Sequence, residues 1–463
     1  MFSYMKRGPG FYREVATLAT PIVLQNLITN MLAMADTFMV GLLGEVPMAA
    51  VTLANIPIFV ITLFIFGVQS GTSVLYSQYW GKKDMDHISR MLGVGLWSVF
   101  IICAVFASIL LICPVQFMGL FGNQPEVIEL AARYGRIAGI SCIFDGLVMQ
   151  YVACFRSMEK PKLGMYILAV SMLVNTFLNW VLIFGHLGAP ALGVEGAAIA
   201  TLIARILELV LVAFHSTGNK FFRPNWKLVL KPGLPSFRRF FRYGGPVVFN
   251  ETMWGMGTSA FPTIMGHMAN STEILAAYTI AGNVDKLCMV VSFGLGATAA
   301  TIIGREVGAG KPEEEVKPIG MALDTMGIIG GFFIGGLLLL FANFIAPAWV
   351  FPLFHMSAGS AAIATTMMSI QALVRPARDF NSVNTVGVLR GGGDVKMATV
   401  IDTSPLWLVA IPAAFICGIL LKTGITVVCI AMASEQIVKI FFGVHRVRSR
   451  GWVRDLTKMM SDV

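Results

Sequence analysis

Apolar residues along this chain come in long runs, not in alternation with polar ones. No Asp, Glu, Lys or Arg occurs in 46–81, 91–125, 163–194 or 325–374, which are runs of 36, 35, 32 and 50 residues. A helix needs about 20 apolar residues to cross the hydrocarbon of a bilayer, so each run holds at least one crossing. Polar breaks bearing Gly and Pro divide the apolar stretches into twelve predicted spans: 13–40, 47–76, 90–113, 125–153, 162–184, 192–215, 240–267, 273–303, 317–343, 357–388, 395–420 and 424–445. An outer-membrane barrel is excluded, because its strands alternate apolar and polar positions. Pro and Gly inside many of the spans are compatible with membrane helices, whose neighbours satisfy the backbone groups that such residues free.

Composition agrees with this reading. Of 463 residues, 56% are apolar and 13% charged, against roughly 25% charged in a soluble domain. Too few charges are present to coat a soluble surface, and disorder, coiled coil and a secreted disulfide scaffold are excluded. The seven Cys all lie in apolar stretches with no CxxC or Cys/His spacing, so they read as small buried hydrophobes. The first apolar stretch is of full span length and lacks a small-residue cleavage site, which makes it a retained helix and not a signal peptide. The net charge of +9 reads as topology and not as nucleic-acid binding, because basic residues gather in cytoplasmic loops. With the N-terminus inside, 27 Lys and Arg fall on the cytoplasmic side, 3 fall opposite, and 4 lie within spans. That bias predicts a multi-pass protein of the cell (inner) membrane with both termini cytoplasmic. The longest polar connection, 216–239, carries Lys220, Arg223, Lys227, Lys231, Arg238 and Arg239 and no acid. It divides the chain into a lobe of six spans (1–215), a basic cytoplasmic linker and a second lobe of six spans (240–463).

The two lobes resemble each other. Pro21 and Gly41 match Pro246 and Gly266 at an offset of 225. AAVTLA (49–54) matches AAYTIA (276–281) at 227, as do Phe66-Gly67 with Phe293-Gly294 and Gly81 with Gly308. Arg156 and Lys162 match Arg390 and Lys396 at 234. Six spans is an even number, so both copies start on the same side of the membrane. The expected fold is therefore all-α: twelve transmembrane helices in two lobes, a parallel repeat about an axis along the membrane normal. Such an arrangement suits two lobes rocking around a central cavity.

Several stretches together carry a family resemblance. The first span reads Pro21-x14-Asp36-T-F-M-V-Gly41 and is followed by LGEVPMAAVTLA. The fifth reads Asn175-T-F-L-Asn179, followed by LGVEGAAIAT. The seventh reads GGPVVFNETMW, and the tenth ends VGVLRGGGD. This pattern resembles the MATE family of multidrug and toxic-compound extrusion transporters over nearly the whole chain. The resemblance implies a secondary antiporter that expels organic, often cationic, compounds using a proton or sodium gradient.

A charge near the bilayer centre costs at least about 2.5–3.5 kcal/mol on insertion scales. Each intramembrane acid therefore marks either an ion, proton or substrate site or an internal ion pair. Asp36 has no opposite charge within a helical turn, and Pro21 fifteen residues earlier can loosen its helix. Asn175 and Asn179, at i and i+4, share one helix face and could point amide oxygens at a cation or hydrogen-bond a carboxyl. The resemblance implies a coupling carboxylate at Asp36 with the Asn175–Asn179 pair beside it; some relatives carry Asp where this chain has Asn179. It also implies a role for Glu251, matching a membrane-embedded Glu of the NorM-like branch. The repeat counterpart of Glu251 is Asn26, while Asp36 aligns with Phe261, so the lobes are chemically unequal. Trp254 could offer a cation–π face to a substrate or simply pack. Asp379, eleven residues before Arg390, resembles a tenth-helix Asp that pairs with the seventh-helix Glu around a cation. Arg375, at i−4, can instead reach Asp379 along the helix, where a guanidinium would compete with a metal ion.

The coupling candidates are thus Asp36, Asn175, Asn179, Glu251 and Asp379, and the substrate candidates Trp254, Arg375, Asp36 and Glu251. Arg205 and Glu208 are spaced to pair, as are Glu435 and Lys439; Asp145, Asp285, Lys286 and Asp402 are second-tier positions. The coupling ion is expected to be the proton, with sodium as the alternative and no other cofactor or metal. The chain has no GxxxxGK[ST], HExxH or GxSxG motif, so neither ATP-driven transport nor an enzyme is expected. The expected partners are small organic, cationic substrates and the lipid bilayer, with no nucleic acid, and the expected state is a monomer. A lipid-linked precursor flippase of the same superfamily is the alternative; it would use Arg375, Arg378 or Lys286 to hold a pyrophosphate.

Overall fold

The computed structural model describes residues 2–219, 221–354 and 356–458; Lys220 of the basic linker lies outside them. No strand occurs among the described residues. The long helices are α1 (Pro9–Gly41), α2 (Glu45–Gly81), α3 (Met85–Ile112), α4 (Pro125–Ser157), α5 (Lys162–Phe184), α6 (Gly193–Gly218), α7 (Gly245–Gly266), α8 (Ser271–Gly308), α9 (Glu313–Leu353), α10 (Ala358–Asn381), α11 (Val395–Leu420) and α12 (Ile425–Arg448). α10 continues without a break as a π-helical stretch, Ser382–Leu389. Among the described residues ten of these are long and apolar enough to cross a membrane. The other two, α7 and α10, are of span length but carry Asn250, Glu251 and Thr252, and Gln371, Arg375, Arg378 and Asp379.

Local chemistry sets several ends. Asp84 caps α3 by accepting from the His87 amide at 3.0 Å, and Ser357 caps α10 by accepting from the Ser360 amide at 3.1 Å. α5 stops at Gly185, whose φ of 76° is the left-handed conformation that ends helices at little cost for glycine. Helices α2 and α8 run past their predicted ends at 76 and 303, to Gly81 and Gly308, because their last turns are polar and project beyond the apolar stretch. The seventh span starts later than the predicted 240. Leu234–Tyr243 is a separate helix, the chain turns at Gly244, and Pro246 sits in the first turn of α7, where its missing N–H has no bond to break.

Residues Leu24–Val248 form one compact unit, and Met1–Val23 with Phe249–Val463 form the other. In the first unit α2 packs on α3 and α4, α3 on α4, α4 on α6, and α5 on α6. In the second, α8 packs on α9 and α10, α9 on α10, α10 on α12, and α11 on α12. The same neighbour pattern recurs, as the sequence repeat leads one to expect. The basic linker is not an extended connection. It contains a short helix, Trp226–Leu230, besides Leu234–Tyr243, and it docks on α3. There the Trp97 indole donates to the Leu230 carbonyl at 3.3 Å and Arg90 to the Pro232 carbonyl at 3.2 Å.

In the second unit, close approach of α9 and α10 depends on a glycine stripe. Gly327, Gly331 and Gly335, at i, i+4 and i+8, face Asp379, Pro376 and Ala372. A Cβ on Gly331 would meet the Pro376 Cα at 2.5 Å, and one on Gly327 would meet the Asp379 carbonyl oxygen at 3.1 Å. Such small-residue stripes let membrane helices pack backbone to backbone. Gly331→Ala is expected to lower stability by about 1–3 kcal/mol through overpacking. Gly336→Ala meets nothing within 4 Å and should leave stability unchanged or slightly higher; thermal unfolding of the two purified variants checks both.

Candidate functional site

In the first unit the structure brings Asp36, Asn175 and Asn179 together. Helix α1 carries Asp36, and α5 carries both asparagines on one face. The Asn179 side-chain amide donates to Asp36 Oδ1 at 2.5 Å and to Asn175 Oδ1 at 3.0 Å. Asn175 in turn donates to the Thr201 hydroxyl of α6 at 3.3 Å. Both asparagines are buried, whereas Asp36 is half-buried. No lysine, arginine or histidine lies within ion-pair distance of Asp36 among the described residues; Arg205 acts on it only through space. Arg205 is committed elsewhere. It pairs with Glu208 at 2.9 Å, as the spacing predicts, and with Asp145 at 3.1 Å.

The second unit holds two charge clusters. In one, Arg375 joins Asp285 at 3.0 Å, and its Nε lies 2.9 Å from Asp379 without hydrogen-bond alignment. Arg378 joins the other oxygen of Asp285 at 2.7 Å. The Ser292 hydroxyl accepts from Arg375 at 3.0 Å and donates to Asp379 at 2.5 Å. Two guanidinium groups thus face two carboxylates on α8 and α10. In the other cluster, Glu251 of α7 pairs with Arg390 at 2.6 Å. Asp402 of α11 pairs with Lys439 at 3.0 Å, accepts from Asn250 at 2.8 Å and lies 3.8 Å from Arg390. Lys439 also lies 3.8 Å from Glu435.

Glu251 and Asp379 therefore lie in separate networks, each held by its own arginine. Arg375 is fully buried. Trp254 is partly buried against Phe261, Ile264 and Leu406, a packing environment. Arg390, which the predicted spans leave in the loop between 388 and 395, and Lys439 are 0% and 2% exposed. They count as internal partners of acids and not as topology signals. Asp145 and Asp402, which lack partners on their own helices, find them on others.

One acid was missed by sequence reasoning. Asp324 on α9 is fully buried, and its carboxylate accepts from the Asn384 amide at 2.8 Å with no ion-pair partner among the described residues. The signal was present: Asp324 lies in the predicted span 317–343, at the edge of the longest charge-free run. Among the described residues no group of three or more His, Cys, Asp and Glu is arranged to hold a metal ion. Chemically the site offers carboxylates, one of them without a fixed countercharge.

The family model described as MatE matches residues 21–181 and 246–416. The chain is 25% identical over 415 residues to a probable multidrug resistance protein YoeA of Bacillus subtilis (strain 168), covering 89% of this chain and 88% of that one. It is 26% identical over 424 residues to a probable multidrug resistance protein NorM of Rhizobium meliloti (strain 1021), covering 89% and 86%. Among solved structures it is similar to the eukaryotic MATE transporter AtDTX14, with a TM-score of 0.85 at 18% identity over 98% and 99% of the two chains. It is also similar to a MOP superfamily transporter from Pyrococcus furiosus, with a TM-score of 0.82 at 18% identity over 96% and 97%. These likenesses place the chain in the twelve-helix fold.

Removing one partner of a buried ion pair leaves the other charge uncompensated, at a cost of about 3–5 kcal/mol. Arg375→Ala strands Asp379 and leaves Asp285 to Arg378 alone, and should fall in that range. Arg378→Ala, whose side chain is 28% exposed, should cost clearly less. Comparing the unfolding temperatures of the two variants in lipid nanodiscs checks the order.

Proposed function

The chain belongs to the MatE family of membrane-embedded multidrug efflux transporters, and from that footing we propose a secondary antiporter that exports small organic cations as protons flow in. The observation that supports this reading is the state of Asp36. Five cations within or beside the spans are consumed by carboxylates: Arg205 by Asp145 and Glu208, Arg375 and Arg378 by Asp285 and Asp379, Arg390 and Lys439 by Glu251 and Asp402. Asp36 has only an amide N–H. An acid without a fixed countercharge is free to exchange a proton or to meet a cationic substrate.

The same geometry favours the proton over sodium. A sodium site needs several oxygens converging on one point. Asn179 turns its N–H groups toward both Asp36 and Asn175, so in this reading the amide stabilises a carboxylate. In this reading Asn175 and Asn179 orient Asp36. Glu251 and Asp379 are carboxylates that a proton or substrate would have to release from Arg390 and Arg375. In this reading transport proceeds by alternating access through rocking of the two six-helix lobes, and the protein acts as a monomer. A flippase holding a pyrophosphate is less well supported, because Arg375 and Arg378 already face acids and Lys286 alone of the three cations named for it is exposed without an ion pair.

Asp36→Asn keeps size and hydrogen bonding but removes the titrating oxygen. It should give a folded, membrane-inserted protein whose dye export falls to the level of empty vesicles. Wild-type export in sodium-free vesicles should follow an imposed pH gradient and vanish when the gradient is collapsed. Export by the Asn variant at the wild-type rate, or strict sodium dependence of the wild type, would refute the assignment.

We place both termini and the basic linker on the cytoplasmic face of the inner membrane. Leu234 in the linker and Leu187 in the α5–α6 loop are 80% and 76% exposed. In a background with the exposed Cys113 replaced, Leu187→Cys should react with an impermeant maleimide in intact cells. Leu234→Cys should react only after permeabilisation; the reverse pattern would invert the orientation.

A further inference from the structure

We propose that Asp324 and Asn384 form a proton-binding site inside the second compact unit, separate from Asp36 and from the two arginine-held clusters. The site deepens the proton-coupled reading and rests on it only for the direction of proton flow. Asp324 lies on α9 one turn before Gly327, on the stripe that faces α10. Asn384 lies opposite, in the π-helical continuation of α10. Both are 0% exposed.

The hydrogen bonding is half complete. Asn384 Nδ2 donates to Asp324 Oδ2 at 2.8 Å, and neither Asp324 Oδ1 nor Asn384 Oδ1 has a partner. With a carboxylate, two buried acceptors are left without a donor. With a carboxylic acid, the Oδ1 hydroxyl supplies the donor that the amide oxygen lacks, and both unpartnered oxygens can then be used. The change is the formation of one O–H bond on Asp324 from a water-borne proton, and its reversal. A metal ion would need more oxygens than these two.

No fixed charge takes the proton's place. The charged groups on the helices packed against α9 are engaged or turned to solvent. On α10, Arg375, Arg378 and Asp379 belong to the Asp285 cluster. On α8, Arg305 and Glu306 pair with Glu14, Lys311 and each other, and Lys286 is exposed. On α12, Glu435 and Lys439 serve Asp402, Arg446 serves Asp394, and His445 and Arg448 are exposed. On α9 itself, Glu313 accepts from the Gly451 amide, Lys317 donates to the Arg448 carbonyl, and Glu314 and Glu315 are exposed. Tyr4, in the Phe2–Met5 turn packed on α9, is partly buried among apolar residues.

The sequence repeat isolates what is special here. At the offset of 234, Asn384 corresponds to Gln150, whose amide donates to the Thr72 and Tyr76 hydroxyls at 2.7 and 2.9 Å. At the offset of 227, Thr72 and Tyr76 correspond to Ala299 and Ile303. The second unit has lost both hydroxyls and confronts its amide with an acid instead. Gly443 on α12 keeps the space beside Asn384 Oδ1 open, since a Cβ there would come within 2.8 Å of it.

Infrared difference spectra of the full-length protein in lipid nanodiscs test the site. Expected is a carboxylic-acid C=O band that is lost in Asp324→Asn, shifted in Asn384→Ala, and reversibly lost as pH is raised. Sodium added at constant pH should leave it in place. Should Asp324→Asn not fold, the shift in Asn384→Ala and the pH response of the wild type carry the assignment. Identical wild-type and Asp324→Asn spectra, or an acid band that no pH change removes, would overturn the proposal; displacement by sodium would make the site a metal site and also overturn it. Export driven by a pH gradient is read separately in wild-type vesicles, so failure of the antiport reading and failure of this site are distinguishable.

Discussion

Water is absent from the apolar layer these helices cross, and a charge carried there has to be settled by another side chain or by a proton. The cost of leaving one unsettled is at least about 2.5–3.5 kcal/mol at the bilayer centre. That constraint explains why buried Arg375 reaches across to α8 for Asp285 while also holding Asp379 on its own helix. It explains why Arg390 and Lys439 are drawn inward to Glu251 and Asp402. Such pairs need helices close enough for side chains to meet. The glycine stripe of α9 provides that closeness, since Gly327, Gly331 and Gly335 admit the α10 backbone at the level of Asp379, Pro376 and Ala372. Packing and electrostatics are here one design: without the stripe, α10 would stand off from α9 and the register of its charged residues would change.

Helix number, order and approximate ends were legible, because length and apolarity of a run are local properties. The two spans that are weakest by apolarity, α7 and α10, were still recognisable from the repeat and the loop charges. Pairs within one helix were legible too: Arg375 with Asp379 and Arg205 with Glu208 follow from spacing alone. The Asp36–Asn179 contact was anticipated through the family resemblance and is realised as a hydrogen bond. Partners on different helices were not legible. Nothing in the sequence near Glu251 announces Arg390, 139 positions away, and Arg390 looked like a loop charge because it adjoins a glycine run. The docking of the linker was not legible for a related reason: its backbone carbonyls find donors on another element, in Arg90 and Trp97 of α3.

The repeat supplies a comparison that neither half offers alone. Both units build the same order of packed helices, yet they place their chemistry differently. The first unit has an acid, Asp36, where the second has Phe261; the second has Glu251 where the first has Asn26. Equal scaffolds with unequal charges separate two kinds of position. Small residues at helix crossings recur because the backbone geometry recurs. Acids recur only where each copy has its own countercharge: at the offset of 234 Asp145 corresponds to Asp379, the one beside Arg205 and the other beside Arg375, whereas Asp36 and Glu251 have no acid at the matching position.

That distinction bears on how a carboxylate becomes useful for coupling. An acid pinned by a guanidinium is already neutralised, and drawing it into an exchange means breaking an ion pair in a medium that penalises the separated charges heavily. An acid whose only support is an amide N–H faces no such competitor. Asp36, supported by Asn179, and Asp324, supported by Asn384, are alike in this respect although they stand on different helices in different units. They differ in access. Asp36 is half-buried and Asp324 fully buried. On the readings proposed above, a proton on Asp36 would exchange at a partly exposed carboxylate, whereas one on Asp324 would first have to be uncovered by the helices that enclose it.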